Sequence, residues 1–185
     1  FSYEVSRRLA AVEGAVLFVD ASPGIEAQTL SNVYAAIDHN LTIIPGVNKI
    51  DLPHAEPEKV AKEISDLLGV PVSEIIFASA KTGQGTKEIL DRIVEKVPPP
   101  QGQAEKPLRA LIFDSFYDSY KGVVVYVRVV DGILRKNEKL MMMANKSNAE
   151  ALEIGYLSPE QHQVETLATG EIGYIVTGLK KVAEA

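Results

Sequence analysis

The first half of the chain alternates short apolar runs with segments whose apolar residues recur every three or four positions. The runs cover residues 15–19, 41–47 and 75–78, and each is typical of a buried strand of a parallel sheet. The segments between and after the runs have the period of an amphipathic helix. This alternation predicts a layered α/β unit built from strand–helix repeats.

Local signals predict where these helices begin and end. Gly14 is expected to end a first helix directly before the first strand. Pro57 suits the first turn of a later helix, and Gly69 suits its end. We expect the last helix to bury one apolar face, formed by Ile89, Leu90, Ile93, Val94 and Val97.

Helical periodicity stops at a segment rich in proline and glutamine. The prolines at positions 98–100 fix the backbone and remove amide donors, and residues 101–104 offer little to bury. We interpret residues 98–106 as a linker between a domain over residues 1–97 and a domain over residues 107–185.

The domain beyond the linker is predicted from short apolar runs separated by turns. Asp131-Gly132 is typical of a hairpin turn and is expected to join the strand over 123–130 to the strand over 139–143. We expect a small antiparallel β-barrel with Met141, Met142 and Met143 in its core. The runs that predict its strands are 110–113, 123–130, 139–143, 152–156 and 173–176.

Composition and charge exclude several classes of protein. The 185 residues carry a net charge of −6, which argues against binding nucleic acid or anionic membranes through overall charge. The chain has no cysteine, which excludes disulfides, thiol nucleophiles and cysteine zinc sites, and its three histidines are scattered, so no metal site is predicted. No apolar run reaches the ~20 residues that a membrane-spanning helix requires. We therefore expect a cytoplasmic protein whose contacts with RNA are local.

A polar tetrapeptide, Asn48-Lys49-Ile50-Asp51, follows the second predicted strand, at the end where ligands of open α/β sheets bind. The Asp51 carboxylate can accept hydrogen bonds from the N1–H and exocyclic amine of guanine, whereas adenine presents an acceptor at N1. The Lys49 stem can cover one face of the ring, and the Asn48 amide can tie the loop to its neighbour or reach N7. The tetrapeptide therefore predicts a guanine-binding loop.

A second polar motif, Ser79-Ala80-Lys81, follows the third predicted strand. Because adjacent parallel strands end at the same edge, we expect the two loops to meet. The Ser79 hydroxyl is expected to brace Asp51, the Ala80 N–H to approach guanine O6, and Lys81 to lie over the second face of the base. An ordinary polar turn explains either motif alone, but both at successive strand ends favour a guanine slot.

Phosphate-binding motifs are absent from these 185 residues. A P-loop requires G-x-x-x-x-G-K-[ST], and the nearest segment, residues 173–180, has Leu179 where lysine is needed. The segment over residues 20–24 approximates D-x-x-G but is one residue too long, so a turn is the better interpretation. The residues alone thus predict guanine binding without phosphate machinery.

The chain resembles the LepA family of translational GTPases, also called elongation factor four. The two polar loops carry the resemblance, which extends over nearly the whole chain. The similar stretches are residues 1–7, 20–29, 48–53, 79–83, 110–115 and 122–132.

This resemblance implies both a fold and a function. The fold is the C-terminal part of a P-loop GTPase (G) domain with a parallel sheet, followed by the small antiparallel β-barrel that is domain 2 of translation factors. The function is a ribosome-dependent GTP hydrolase that moves transfer RNAs backwards on the ribosome and supports fidelity under stress. The resemblance also implies GTP or GDP as ligand and Mg²⁺ in the full-length protein. It further implies that a fraction of the protein associates peripherally with the inner membrane, and that no obligate oligomer forms.

The family's P-loop and switch regions lie before the part that matches Phe1. We therefore expect these residues to be part of a longer enzyme and to be inactive alone, since they lack the phosphate cradle, the Mg²⁺ ligand and the water-positioning group. Two other functions stay open: a non-catalytic module that docks on ribosomal RNA or protein, and a sibling GTPase of forward elongation or initiation.

Five basic residues of the second domain are candidate contacts to ribosomal RNA. That domain with its linker has ten basic and eleven acidic residues, whereas the first has nine and fourteen. Scattered solvated lysines explain the same pattern equally well. The candidates are Arg135, Lys136 and Lys139 near the predicted hairpin, and Lys180 and Lys181 near the end.

Overall fold

A computed structural model describes residues 2–181, with side chains from residue 5 onward. The chain divides into two compact units, residues 1–99 and residues 100–185. In the described part of the chain, no helix is long and apolar enough to cross a membrane.

The first unit has an α/β fold around a parallel sheet with strand order β1-β2-β3. Both pairs of neighbouring strands are parallel, so all three strands end at the same edge. Its elements are α1 (Ser2–Leu9), β1 (Gly14–Asp20), α2 (Ala27–Asp38), β2 (Thr42–Asn48), α3 (Pro57–Leu68), a short 3-10 helix (Val72–Glu74), β3 (Ile76–Phe77) and α4 (Thr86–Lys96).

Helix α3 has the ends that the sequence predicts. It begins at Pro57, whose missing N–H costs nothing in a first turn, and Gly69 follows it in the left-handed conformation with φ 68°. The helix buries Val60 and Ile64 against the β1–β2 face of the sheet, where Val47 is fully buried. This packing fixes the loop that precedes α3.

Two predictions about the helices of this unit are wrong. Helix α1 ends at Leu9, and Gly14 instead begins β1, where a Cβ atom would lie 2.6 Å from a Val97 methyl group. Glycine is needed there for close packing rather than to end a helix. The buried face of α4 is narrower than predicted, because Leu90 is 58% and Val94 85% exposed, while Ile89, Ile93 and Val97 form the packed stripe.

The second unit consists of antiparallel strands in one five-stranded sheet, with order β10-β9-β12-β5-β4, and two two-stranded sheets, β11-β6 and β7-β8. One face of β5 contributes Val123, Val125, Val127 and Val129 to the main core, and on the other face Val124 is buried with Tyr174. The strands are β4 (Arg109–Asp118), β5 (Gly122–Asp131), β6 (Leu134–Arg135), β7 (Lys139–Met141), β8 (Asn148–Glu150), β9 (Glu153–Ser158), β10 (Glu160–Val164), β11 (Thr166–Leu167) and β12 (Ile172–Val176).

The predicted hairpin at Asp131-Gly132 is wrong. Strand β5 pairs with β4 and β12, whereas β7 pairs with β8. The Asp131 carboxylate accepts a hydrogen bond from the Gln103 backbone N–H over 3.0 Å and forms a 2.8 Å ion pair with Arg109. Asp131 therefore anchors the entry to this unit, and the chain turns away from β5 at this point.

The prediction that all three methionines lie in the core is also wrong. Met142 is 8% exposed, but Met141 and Met143 are 58% and 67% exposed. Met141 ends β7 on its exposed side, and Met143 already lies in the turn that joins β7 to β8, so only Met142 between them is buried.

Candidate guanine-binding site

Three loops meet at the carboxyl edge of the parallel sheet. Residues 20–24 end and follow β1, residues 48–51 end and follow β2, and residues 79–85 lie shortly after β3. Asp20 is the register partner of Asn48, and the Ala21 N–H donates to the Asn48 carbonyl over 2.8 Å. The strand order therefore places the loop after β2 between the other two.

Ser79 and Asp51 join the loops after β3 and β2. The Ser79 hydroxyl donates a hydrogen bond to Asp51 Oδ1 over 2.6 Å, as predicted from the sequence. Ser79 is fully buried, whereas the Asp51 side chain is exposed. The hydrogen bond from Ser79, the Asp51 backbone N–H and the positive charge of Lys81 together hold the pKa of Asp51 below its usual range, against the opposing effect of burial. Asp51 is thus an exposed, ionised acceptor fixed beside the loop after β3.

Asn48 and Ala80 form a second bond between the same two loops. The Ala80 backbone N–H donates to Asn48 Oδ1 over 3.1 Å, which confirms that the Asn48 amide ties its loop to its neighbour. The Ala80 N–H therefore has an acceptor within the protein, and its approach to guanine O6 stays a prediction. A guanine O6 at this position would share the N–H with Asn48 or replace that amide oxygen.

The loop after β3 is a compact turn built around Ser79. The Thr82 N–H donates to Ser79 Oγ over 3.2 Å, the Gly83 N–H donates to the Ser79 carbonyl over 2.9 Å, and the Ser79 N–H donates to the Gln84 carbonyl over 3.0 Å. Gly85 closes the turn with φ 75°, and a Cβ atom there would collide with the Phe77 carbonyl oxygen. The Ser79 hydroxyl is therefore held in place by the contacts of its own turn.

Lys49 and Ile50 have different surroundings although they are neighbours in the predicted loop. Lys49 has a positive φ of 61°, and its Nζ forms a 2.8 Å ion pair with Asp20 Oδ2. Ile50 is half-buried and packs against the core cluster that contains Val47, so it anchors the loop. Sequence reasoning missed Asp20 because only the pairing of β1 with β2 brings it to Lys49.

Lys81 is exposed, and its positive charge acts on Asp51. The contacts of Lys49 and Lys81 to the two faces of a base stay predictions. Within residues 2–181, no group of three histidine or acidic side chains could hold a metal ion.

The candidate RNA contacts lie on separate elements of the second unit. Arg135 belongs to β6, Lys139 begins β7, and Lys180 and Lys181 follow β12. Lys136 forms a 3.5 Å ion pair with Glu165, and this carboxylate partly neutralises the charge of Lys136. Arg135, Lys139, Lys180 and Lys181 are all exposed.

Comparison with protein families gives a match over the unit that contains the slot. Residues 1–99 match the family model of the elongation factor Tu GTP binding domain. The match covers just over half of the chain and includes both polar loops.

Curated relatives match the whole chain and are named elongation factor 4, in agreement with the resemblance found in the sequence. The chain is 56% identical to the protein of Thermobifida fusca, 59% to that of Gloeothece citriformis and 58% to that of a Synechocystis species, each over all 185 residues. It spans only 30–31% of the length of the first two relatives.

A solved structure supports the fold. The apo form of translation elongation factor SelB from Methanococcus maripaludis is similar with a TM-score of 0.79, and the match covers 95% of this chain and 38% of the other. The two sequences are 19% identical over that match, so the likeness concerns the fold alone.

Proposed function

The chain belongs to the family of the elongation factor Tu GTP binding domain, and on that premise we propose that its two polar loops bind the base of a guanine nucleotide. The observation that carries the proposal is the 2.6 Å hydrogen bond from Ser79 to Asp51. It joins residues that are 28 positions apart in the chain and orients the ionised carboxylate of Asp51 next to the loop after β3.

Each residue of the slot has a separate task in this proposal. Ionised Asp51 accepts from N1–H and the exocyclic amine of guanine, and adenine is rejected because its N1 is an acceptor. Asn48 and the Ala80 N–H face the O6 and N7 edge, with O6 competing for the N–H that Asn48 now accepts. The stems of Lys49 and Lys81 cover the two faces of the ring.

Hydrolysis requires groups that these 185 residues do not supply. No P-loop sequence is present, so the cradle for the phosphates and the ligands of Mg²⁺ would come from other parts of a longer protein. When bound, Mg²⁺ neutralises charge that develops on the phosphates. The contribution of this chain is to select the nucleotide and fix the position of its base. We expect the 185-residue chain alone to release no phosphate from GTP.

The whole protein would act on the ribosome. We propose a ribosome-dependent GTP hydrolase of the elongation factor 4 type, which moves transfer RNAs backwards and supports fidelity under stress. The support is the 56–59% identity of this chain to elongation factors 4. Its partners would be ribosomal RNA and transfer RNA in the cytoplasm. A fraction of the protein would associate peripherally with the inner membrane.

The two units would have distinct roles in that protein. The first would be the C-terminal, guanine-selecting portion of the G domain. The second would be the β-barrel domain 2 of translation factors, docked on ribosomal RNA. Its candidate phosphate contacts are Arg135, Lys136, Lys139, Lys180 and Lys181.

Nucleotide discrimination tests the proposal. A full-length protein carrying these residues is titrated with GDP, inosine diphosphate and ADP in a calorimeter. GDP should bind most tightly, inosine diphosphate more weakly because it lacks the amine that Asp51 recognises, and ADP weakest. Equal affinity for GDP and ADP would contradict the proposal and favour a module that only docks on RNA or protein. Ribosome-stimulated phosphate release from GTP then tests the hydrolase.

A further inference from the structure

We infer that Asp20 is a positioning residue of the guanine site, which holds the Lys49 ammonium so that the lysine stem lies across the place of the base. This inference rests on the proposed function. It extends the site to the loop after β1, which neither polar motif includes.

The contact is a short ion pair formed at the ends of two neighbouring strands. Lys49 Nζ lies 2.8 Å from Asp20 Oδ2. Asp20 ends β1, and its register partner is Asn48, the residue immediately before Lys49. The Ala21 N–H donates to the Asn48 carbonyl over 2.8 Å, so the sheet itself sets the spacing between the carboxylate and the lysine.

Asp20 and Asp51 lie on opposite sides of the β2 end. The strand order β1-β2-β3 places Asp20 on the β1 side, whereas Asp51 is bonded to Ser79 on the β3 side. Lys49 leaves the end of β2 and has its ammonium fixed toward β1. A planar ring whose edge is held by Asp51 would extend from the β3 side over the end of β2, where the Lys49 stem crosses toward Asp20.

Both ends of the Lys49 side chain are constrained. At the backbone, Lys49 has a φ of 61°, and its carbonyl accepts from the Leu52 N–H over 3.2 Å. At the tip, the constraint is the Asp20 carboxylate. An untethered lysine side chain would lose rotamer freedom when the base binds. The ion pair already restricts the Lys49 side chain, so less conformational entropy is lost on binding.

The expected loss of nucleotide affinity follows from the solvent exposure of the Lys49–Asp20 ion pair. The Lys49 and Asp20 side chains are 53% and 36% exposed, and exposed ion pairs are individually weak. Loss of the pair should therefore weaken nucleotide binding by about fivefold rather than abolish it.

The test compares four forms of a full-length protein that carries this chain: wild type, Asp20→Asn, Lys49→Met and the double variant. Calorimetry gives the Kd of GDP and of inosine diphosphate for each. Asp20→Asn should weaken both nucleotides by the same factor of about five, because the stem contacts the ring face and not the amine. In the Lys49→Met background, Asp20→Asn should have no further effect, and Asp20→Glu in the wild type should restore most of the affinity.

A matched control breaks an equivalent ion pair elsewhere in the same unit. Lys96 and Glu74 are 2.6 Å apart with side chains 36% and 38% exposed, so Glu74→Gln should leave the Kd of GDP unchanged. The inference is overturned if Asp20→Asn binds GDP like the wild type. It is also overturned if Asp20→Asn weakens binding equally with and without the Lys49 ammonium, since Asp20 would then act through another contact.

The proposed function fails on a different result. If Asp51→Asn leaves the preference for GDP over xanthosine diphosphate unchanged, the guanine slot itself is wrong. If Asp51→Asn reverses that preference while Asp20→Asn has no effect, the slot stands and only the positioning role of Asp20 is lost.

Discussion

The Ser79 hydroxyl donates to Asp51 Oδ1 over 2.6 Å, although the two residues follow different strands. Ser79 is buried and held by its own turn, while Asp51 is exposed. A fixed interior donor thus orients a carboxylate that stays free to accept from a ligand, which is the kind of preorganisation that lowers the cost of binding.

Removing the Ser79 hydroxyl should change the titration of Asp51. The bond from Ser79 is the main reason that the pKa of Asp51 lies below its usual value, so Ser79→Ala should raise that pKa. A carboxyl with a lowered pKa stabilises the folded state above its unfolded pKa and loses this effect as pH falls through the folded pKa. Ser79→Ala should move that loss to higher pH. Carbon-13 NMR titration of the Asp51 carboxyl measures the shift.

Ser65→Ala is the matched control for that titration. The Ser65 hydroxyl also donates over 2.6 Å, but to the Val70 carbonyl, away from the slot. Its loss should leave the Asp51 titration as in the wild type. An unchanged Asp51 pKa in Ser79→Ala would show that the hydroxyl does not orient the carboxylate.

The bond between Asn48 and Ala80 should protect one exposed amide. Asn48→Ala removes the acceptor, so the Ala80 N–H should exchange with solvent deuterium faster than in the wild type. Asn48→Asp keeps an oxygen at this position and should retain most of the protection. Equal exchange in the wild type and Asn48→Ala would mean that the two loops are not joined there in solution.

Two glycines of the same turn should respond differently to alanine. Both have positive φ, 81° at Gly83 and 75° at Gly85, but only Gly85 has a backbone carbonyl where the Cβ would lie. Gly83→Ala should cost about 1 kcal/mol of unfolding free energy from backbone strain. Gly85→Ala should cost about 3 kcal/mol more because Phe77 or the turn must move. Urea unfolding measures both, and equal costs would contradict the turn described above.

Tyr174 should support the second unit through Glu153. Its buried hydroxyl donates to Glu153 Oε1 over 2.8 Å, and the same oxygen lies 2.7 Å from Lys121 Nζ. Tyr174→Phe should lower the unfolding free energy by about 2 kcal/mol, because a partly buried carboxylate loses a donor. Tyr120→Phe is the control, since Tyr120 is 97% exposed. Equal stabilities of the two variants would contradict a role for this bond.

The same tyrosine gives a prediction at high pH. Burial, followed by the bond to Glu153, raises the pKa of Tyr174 from 10.0 to about 12. In the folded state the Tyr174 hydroxyl keeps its proton to a higher pH than in the unfolded state. The contribution of Tyr174 to stability is therefore complete below the unfolded pKa and is lost as pH rises toward the folded pKa. Ultraviolet titration of the wild type against Tyr174→Phe should therefore show a difference in phenolate absorbance only near pH 12. A difference centred near pH 10 would contradict this.

Features that depend on local sequence were predictable. Proline at the start of α3 and glycine after it act through their own backbone preferences, so Pro57 and Gly69 marked the helix ends correctly. The meeting of Ser79 with Asp51 was also predictable, because parallel strands ending in polar residues share an edge.

Features that depend on distant partners were not predictable. Asp131-Gly132 has the composition of a hairpin turn. The Asp131 carboxylate instead binds Arg109 and the Gln103 backbone N–H, and the chain leaves β5 in a different direction. The ion pair of Asp20 with Lys49 follows from strand register, which the residue pattern of neither strand specifies. In both cases a contact between separate segments decides the outcome.

The proposal that Asp51 recognises guanine is tested most directly by a change of base preference. In a full-length protein carrying this chain, Asp51→Asn replaces an acceptor by an amide donor, which matches the C2 carbonyl of xanthine. In competition between GDP and xanthosine diphosphate, the wild type and the distant control Asp66→Asn should prefer GDP, and Asp51→Asn should prefer xanthosine diphosphate. Retention of the GDP preference by Asp51→Asn would contradict the account.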